Sequence, residues 1–307
     1  MRKLLSLVLV VLFVACCFSS CAGREGEDKL SVVCTSFVAY DWAREILGET
    51  DAVSLYLLVD GGRDMHSFEP TAADMVKILE SDLFIYTGGP SEAWVDELVQ
   101  KNELNNVLSL LDCLNGNVKY IEHDEGDGHE HLVIDEHVWL SVTNAMFFSA
   151  AIGEKLCHID SANQATYEAN LDRYLWELSS LAGDYAWLGT TPNEKTLVVA
   201  DRYPFRYMLE DNGFSVVAAF SGCSTESEAS FATVISLAKT VDEQELSGVL
   251  VTETSDKKLA ETVIANTRSK TAKIYTLHSL QSVSDPEHTS YIEVMQDNLE
   301  VLRTVLN

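Results

Sequence analysis

Basic residues are scarce in this 307-residue chain, with 21 Lys and Arg against 48 Asp and Glu and a formal net charge of −27. That balance argues against a polyanionic partner such as nucleic acid, whose binding is driven by neutralising phosphates. An acidic surface attracts cations and equally serves plain solubility. Signatures of catalysis are missing: the chain has no His-Glu-x-x-His helix, no Gly-x-Ser-x-Gly elbow and no Gly-x-x-x-x-Gly-Lys phosphate loop. No enzyme is expected on that ground. Cys34, Cys113, Cys157 and Cys223 contain no Cys-x-x-Cys pair, which argues against a zinc ribbon or a thioredoxin-type site. Their pairing is left open between a disulfide and buried thiols. Beyond the first 20 residues no apolar run is long enough to span a bilayer.

The first 20 residues differ from the rest. Arg2-Lys3 precede the apolar run Leu4 to Phe18, and Ser19-Ser20-Cys21-Ala22 follows. A short positive segment, an apolar stretch of this length and small residues at its end make a secretory signal. A Cys straight after small residues resembles a bacterial lipobox, with Cys21 as the lipid-modified residue that anchors the chain to the membrane. Residues 21–29 then read as a polar tether.

From Leu30 onward, β-branched runs alternate with helical patterns. Strands are expected at Leu30 to Phe37, Ala52 to Val59, Asp82 to Tyr86 and Val107 to Leu111, with helices at Asp41 to Leu47, Thr71 to Glu80 and Ser91 to Val99. Helices then follow at Ser141 to Cys157 and, broken only near Gly183, at Ser161 to Leu188. Alternation resumes with strands Thr196 to Ala200, Ser215 to Phe220, Gly248 to Thr252 and Lys273 to Leu277, and ends in a helix from Ser290. Such alternation builds parallel sheets with helices on their faces. The expected fold is α/β: two lobes, each a central parallel sheet flanked by helices, joined by one long helix. Lobe boundaries fall at 30–158 and 191–307, with a linking helix at 159–190. Since the join is a helix, without a Pro- or Gly-rich linker, large hinge motion is not expected.

Histidine clusters between the halves. His123 to Trp139 reads HDEGDGHEHLVIDEHVW and holds four of the eight histidines. Its first part, to His131, is polar and glycine-bearing and reads as a mobile loop within a His/acid-rich segment, 121–134. His123, His129 and His131 are auxiliary metal collectors there. His137 runs directly into Val138-Trp139-Leu140, an apolar segment that packs, so it can hold a fixed position. His66, His137, Asp201 and His278 each lie at or beyond the C-terminal end of an expected strand, or lead into the next helix. In open parallel sheets that edge is where ligands bind, and neutral imidazoles there suit zinc. Glu136 could serve as a general base on metal-bound water, but neighbours in an extended segment face opposite ways, so it is expected to face away from a metal on His137. Tyr203, Phe205 and Tyr207 either wall the site or belong to the core.

Met65-His66-Ser67-Phe68-Glu69-Pro70-Thr71, Asp82-Leu83-Phe84-Ile85-Tyr86 and Asp135-Glu136-His137-Val138-Trp139-Leu140-Ser141, with a His/acid-rich loop just before the last, resemble the zinc/manganese solute-binding lipoproteins of ABC transporters. The likeness covers essentially the whole mature chain. It implies a divalent metal held between two lobes and delivered, outside the cytoplasm, to a membrane permease and its ATPase. It assigns His66 and His137 as the first two ligands. The second lobe departs from the pattern. Counting back from Phe205-x-Tyr207 puts Arg202 at a ligand position, where a guanidinium cannot coordinate, and a one-residue shift offers Asp201. His278 stands where the family usually has Asp, and Glu253 is a further carboxylate at the same edge. The implied shell is His66, His137 and His278 with Asp201 or a water, a set that favours Zn2+ over Mn2+. A monomer is expected. Other readings are a manganese or iron binder of the same fold, a surface adhesin, or a metal-dependent hydrolase.

Overall fold

The computed structural model describes residues 29–124, 130–190, 196–222 and 229–306. The signal at 1–20, Cys21, His129 and Cys223 lie outside them. In the first half, strands β1 (Leu30–Cys34), β2 (Val53–Leu57), β3 (Leu83–Tyr86) and β4 (Val107–Ser109) form one sheet in the order β2-β1-β3-β4, all parallel. Val32, Val33 and Cys34 are fully buried in its centre, the position that a run of β-branched residues suits. Helices α1 (Phe37–Leu47), α2 (Ala72–Leu79) and α3 (Ala93–Asn102) connect these strands, and the short α4 (Leu110–Cys113) follows β4. Helix α2 starts at a reciprocal cap: the Thr71 side chain accepts from the Asp74 N–H and the Asp74 carboxylate from the Thr71 N–H, satisfying two orphan donors.

The ends of the stretch expected to be a loop are strands, while residues 125–129 of it lie outside the described residues. Strands β5 (Tyr120–Asp124) and β6 (Glu130–Ile134) pair antiparallel, with His123 opposite His131. The pairing is carried by Tyr120-Ile121 against Val133-Ile134, apolar residues at the foot of the arms that sit outside the His-rich core of the motif. After His137 come α5 (Val142–Ile159) and α6 (Gln164–Thr190). At 27 residues, α6 extends about 40 Å at 1.5 Å per residue. It runs unbroken through Gly183, against the expected break. An interior glycine costs about 1 kcal/mol, which the burial of Tyr174, Leu178, Leu181, Tyr185 and Leu188 along the same helix outweighs.

The second half repeats the plan. Strands β7 (Thr196–Val199), β8 (Ser215–Ala218), β9 (Gly248–Thr252) and β10 (Lys273–Leu277) lie in the order β10-β9-β7-β8, again all parallel. Helices α7 (Arg206–Glu210), α8 (Phe231–Glu243), α9 (Lys258–Ala265) and α10 (Tyr291–Leu306) complete it. Among the described residues, no helix is long and apolar enough to cross a membrane.

One hydrophobic core runs through both lobes. Trp42, Trp139, Tyr174, Tyr185, Phe205 and Tyr291 all belong to it. The Trp42 and Tyr291 rings meet edge-on at 5.2 Å, the Tyr185 hydroxyl donates to the Met295 carbonyl at 2.7 Å, and the Tyr291 hydroxyl donates to the Trp139 carbonyl at 2.7 Å. A second, smaller cluster, wholly aliphatic, lies between the second sheet and helices α8 and α9, with Val198, Leu237, Val249, Val251 and Val263 among its members.

Candidate metal centre

His66 sits on a single 3-10 turn, Met65–Ser67, between β2 and α2. Asp64 caps that turn, its carboxylate accepting the His66 N–H at 2.9 Å. The ring Nδ1 lies 2.6 Å from Ser91 Oγ and 3.0 Å from Glu136 Oε1. Ser91 in turn donates its N–H to Glu136 Oε2 at 2.9 Å and its hydroxyl to Glu136 Oε1. Burial raises the Glu136 pKa, but the hydrogen bonds from His66 and Ser91 outweigh it and hold the group below the usual carboxylate range. Glu136 therefore acts on the back of His66, as an ionised acceptor. Gly89, at φ +90°, makes room for it: a Cβ there would stand 2.8 Å from the Glu136 Cβ.

His137 is 2% exposed. Its backbone N–H and its Nδ1 both reach Asp135 Oδ1, at 3.1 and 2.6 Å, so the Asp-x-His spacing closes a local turn that also clamps the ring. Trp139 walls the other side, ring centroids 5.2 Å apart, and its Nε1–H donates to the Ser279 carbonyl of the second lobe at 2.8 Å.

These supports leave the two Nε2 atoms facing each other at 3.3 Å. In the tautomers that place each Nδ1 proton on its acceptor, both Nε2 atoms present lone pairs to the same point. Two nitrogens bound at 2.0–2.1 Å to one tetrahedral ion lie about 3.3 Å apart. A carboxylate behind each imidazole is also the support that metal-binding histidines use to fix tautomer and raise basicity. Such a pair is able to chelate a cation, and its nitrogen donors would suit a borderline-soft one.

The second-lobe candidates are placed differently. Asp201, just past β7, has its carboxylate committed: Oδ2 accepts the Thr252 N–H at 3.0 Å and hydroxyl at 2.7 Å, and Oδ1 accepts the Arg202 N–H at 2.8 Å. His278, just past β10, is held by its backbone between the Asn298 side-chain atoms. Its ring is exposed and lines a pocket of about 330 Å³ with Glu253, Leu280 and Ser282. Glu253 accepts the Ser279 N–H and hydroxyl at 2.9 and 2.7 Å. Among the described residues, no three His, Cys, Asp or Glu side chains converge as a ready cage. The structure brings His66 and His137 together and leaves Asp201 and His278 apart from that pair.

Asp135 and Ser91 are the supports of the two histidines that sequence reasoning did not single out. The Asp135 role was readable in its spacing to His137. Ser91 stands 25 residues from His66 and carries no local signal. Tyr203, Phe205 and Tyr207 are buried core, yet the Tyr207 hydroxyl also donates to the Asp135 carbonyl at 3.1 Å and accepts the Lys119 N–H at 2.7 Å. Among the described residues Cys34, Cys113 and Cys157 are free thiols, and burial pushes the Cys34 thiol far up in pKa.

Residues 32–305 match the family model described as ZnuA, zinc-uptake complex component A, periplasmic. The chain is 29% identical to the zinc-binding lipoprotein AdcA of Streptococcus pneumoniae over 98% of its own length and 60% of AdcA, so it spans about three-fifths of that relative. It is 30% identical to the metal ABC transporter substrate-binding lipoprotein ScbA of Streptococcus cristatus, covering 97% of this chain and 96% of that one. Among solved structures, the metal-dependent lipoprotein YcdH of Bacillus subtilis superposes with a TM-score of 0.74 at 25% identity, over 91% of this chain and 99% of that one. The Zn(II)-bound ZnuA-like domain of Streptococcus pneumoniae AdcA does so with a TM-score of 0.70 at 26% identity, again over 91% and 99%. The chain therefore belongs to the ZnuA family, the periplasmic component A of zinc-uptake complexes.

Proposed function

We propose that this protein captures zinc outside the cytoplasm and passes it to an ABC permease driven by its ATPase, acting as a monomer held to the membrane by a lipid on Cys21. The observation that carries this reading is the pair of imidazoles with carboxylate-supported Nδ1 atoms and Nε2 atoms 3.3 Å apart. Zinc is favoured over manganese because nitrogen, not oxygen, leads the donor set. His278 is the second-lobe ligand we carry forward, since its ring is exposed. Asp201 is a costlier recruit, having three hydrogen bonds to surrender or share. His123, His129 and His131 serve as auxiliary collectors. Residues 30–158 and 191–307 act as the two lobes, with 159–190 linking them. The protein works as a solute carrier and not as an enzyme; the engagement of Glu136 behind His66 supports this, because a general base would have to face the ion.

Competition with a chromophoric chelator tests the site. Replacing His137 by Ala removes one of two convergent nitrogens and is expected to weaken zinc binding at least 100-fold. Unchanged affinity in His137→Ala would overturn the assignment.

A further inference from the structure

We infer that Arg206 is a positioning residue for the metal centre, through which the second lobe acts on His137 by way of the Asp135 carboxylate. The inference rests on the reading of His66 and His137 as zinc ligands. It starts from two polar atoms. Asp135 Oδ2 and Arg206 Nε are each buried and without a hydrogen-bond partner, and they face each other at 3.9 Å. Unpaired buried groups of this kind are costly, and here each is the natural partner of the other.

The surroundings define what the contact can do. Asp135 Oδ1 is fully used by His137, accepting both its N–H and its Nδ1 proton. Only its second oxygen is left to be fixed. Arg206 is itself anchored: its Nη1 donates to the Tyr120 carbonyl at 2.7 Å, and Glu210 Oε1 lies 3.5 Å from its Nε. Arg206 therefore ties the first turn of α7 to the foot of the hairpin and holds its Nε between the Glu210 carboxylate and the carboxylate behind His137. Its neighbour Tyr207 holds the Asp135 backbone carbonyl. The segment that follows Asp201 thus supplies supports for Asp135.

A cation on His137 Nε2 polarises the ring and makes its Nδ1–H a stronger donor, so the fixing of Asp135 matters most when the site is filled. An approach of about 1 Å between α7 and Asp135 turns the 3.9 Å contact into a charge-assisted hydrogen bond of normal length. Zinc binding and this contact then favour each other, and the second lobe senses occupancy through the support of His137 as well as through any ligand it gives to the ion.

The test is a double-mutant cycle on the full-length chain, with zinc alone as the probe and affinity read by chelator competition. Arg206→Gln is expected to weaken zinc binding about 10-fold, at the lower end of what loss of such supports costs. Asp135→Asn is expected to weaken it by about 10- to 100-fold. The double variant should bind no more weakly than Asp135→Asn alone, because Arg206 acts through Asp135. Arg206→Lys, which keeps the charge, should recover most of the affinity. Unchanged affinity in Arg206→Gln, or a 10-fold loss repeated in the Asp135→Asn background, would overturn the inference. Should His137→Ala keep its affinity, the assignment of the site itself would fall, a result distinct from either.

Discussion

Glu92 offers a quantitative test of how the ground behind the metal centre is built. It follows Ser91, whose N–H and hydroxyl hold Glu136, and it is buried, accepting the Gly88 N–H at 2.6 Å. Burial raises its pKa from 4.5 to about 7; Glu136 adds to the rise, and hydrogen bonds from the loop oppose it. A carboxyl whose folded pKa lies above its unfolded value binds a proton more tightly when folded. Its contribution is thus fully present below about pH 4.5 and is lost as pH rises through 7. At about 1.4 kcal/mol per pH unit, that interval amounts to about 3 kcal/mol. Glu92→Gln keeps an acceptor for Gly88 and cannot ionise. Its buried amide costs a constant, so the informative quantity is the difference between the two proteins as a function of pH. Urea unfolding of the metal-free chain from pH 4.5 to 8 should show Glu92→Gln gaining about 3 kcal/mol on the wild type across the range. Parallel curves, within about 0.5 kcal/mol, would refute the reasoning and place the Glu92 proton elsewhere.

Two substitutions probe the supports of the histidines directly. Gly89→Ala places a methyl 2.8 Å from the Glu136 Cβ in a backbone conformation at φ +90°, ψ −173°. It should destabilise the fold by about 1–3 kcal/mol in urea titration and weaken zinc binding about 10-fold; full zinc affinity would separate Glu136 from the site. Trp139→Phe removes the 2.8 Å bond to Ser279 and should cost about 1–3 kcal/mol by leaving a buried carbonyl unpaired. A change below about 0.5 kcal/mol would mean that this link between the lobes carries little of the load.

Much of the architecture was legible because it is written in local periodicity. Val249-Leu250-Val251 could only be a buried strand, and Thr71 with Asp74 could only start a helix; both stand as read. His137 was legible because Trp139 and its neighbours had to be packed, which gave the histidine a rigid base. The paired strands were not, since the apolar residues Tyr120-Ile121 and Val133-Ile134 stand opposite each other from either end of a polar run, and that run dominates any local window. Gly183 misled for the opposite reason: its local penalty is real, but the aromatic and leucine face on either side decides the matter. Ser91 and Arg206 were invisible, because a hydrogen bond across 25 residues and an ion pair across about 70 residues of chain leave no spacing to detect.

The shared core sets a limit on modularity. Trp42 from the first sheet's helix, Tyr185 from the linking helix and Tyr291 from the terminal helix interlock through ring contact and hydroxyl bonds. A cut at the linking helix would expose all three at once, so neither lobe is a self-sufficient building block. The small aliphatic cluster on the second sheet is different, being closed within its own lobe. Variation can accumulate around that cluster without consulting the rest of the chain. A chimera that swaps metal preference between relatives must carry the three aromatics together, whichever half of the pocket it aims to replace.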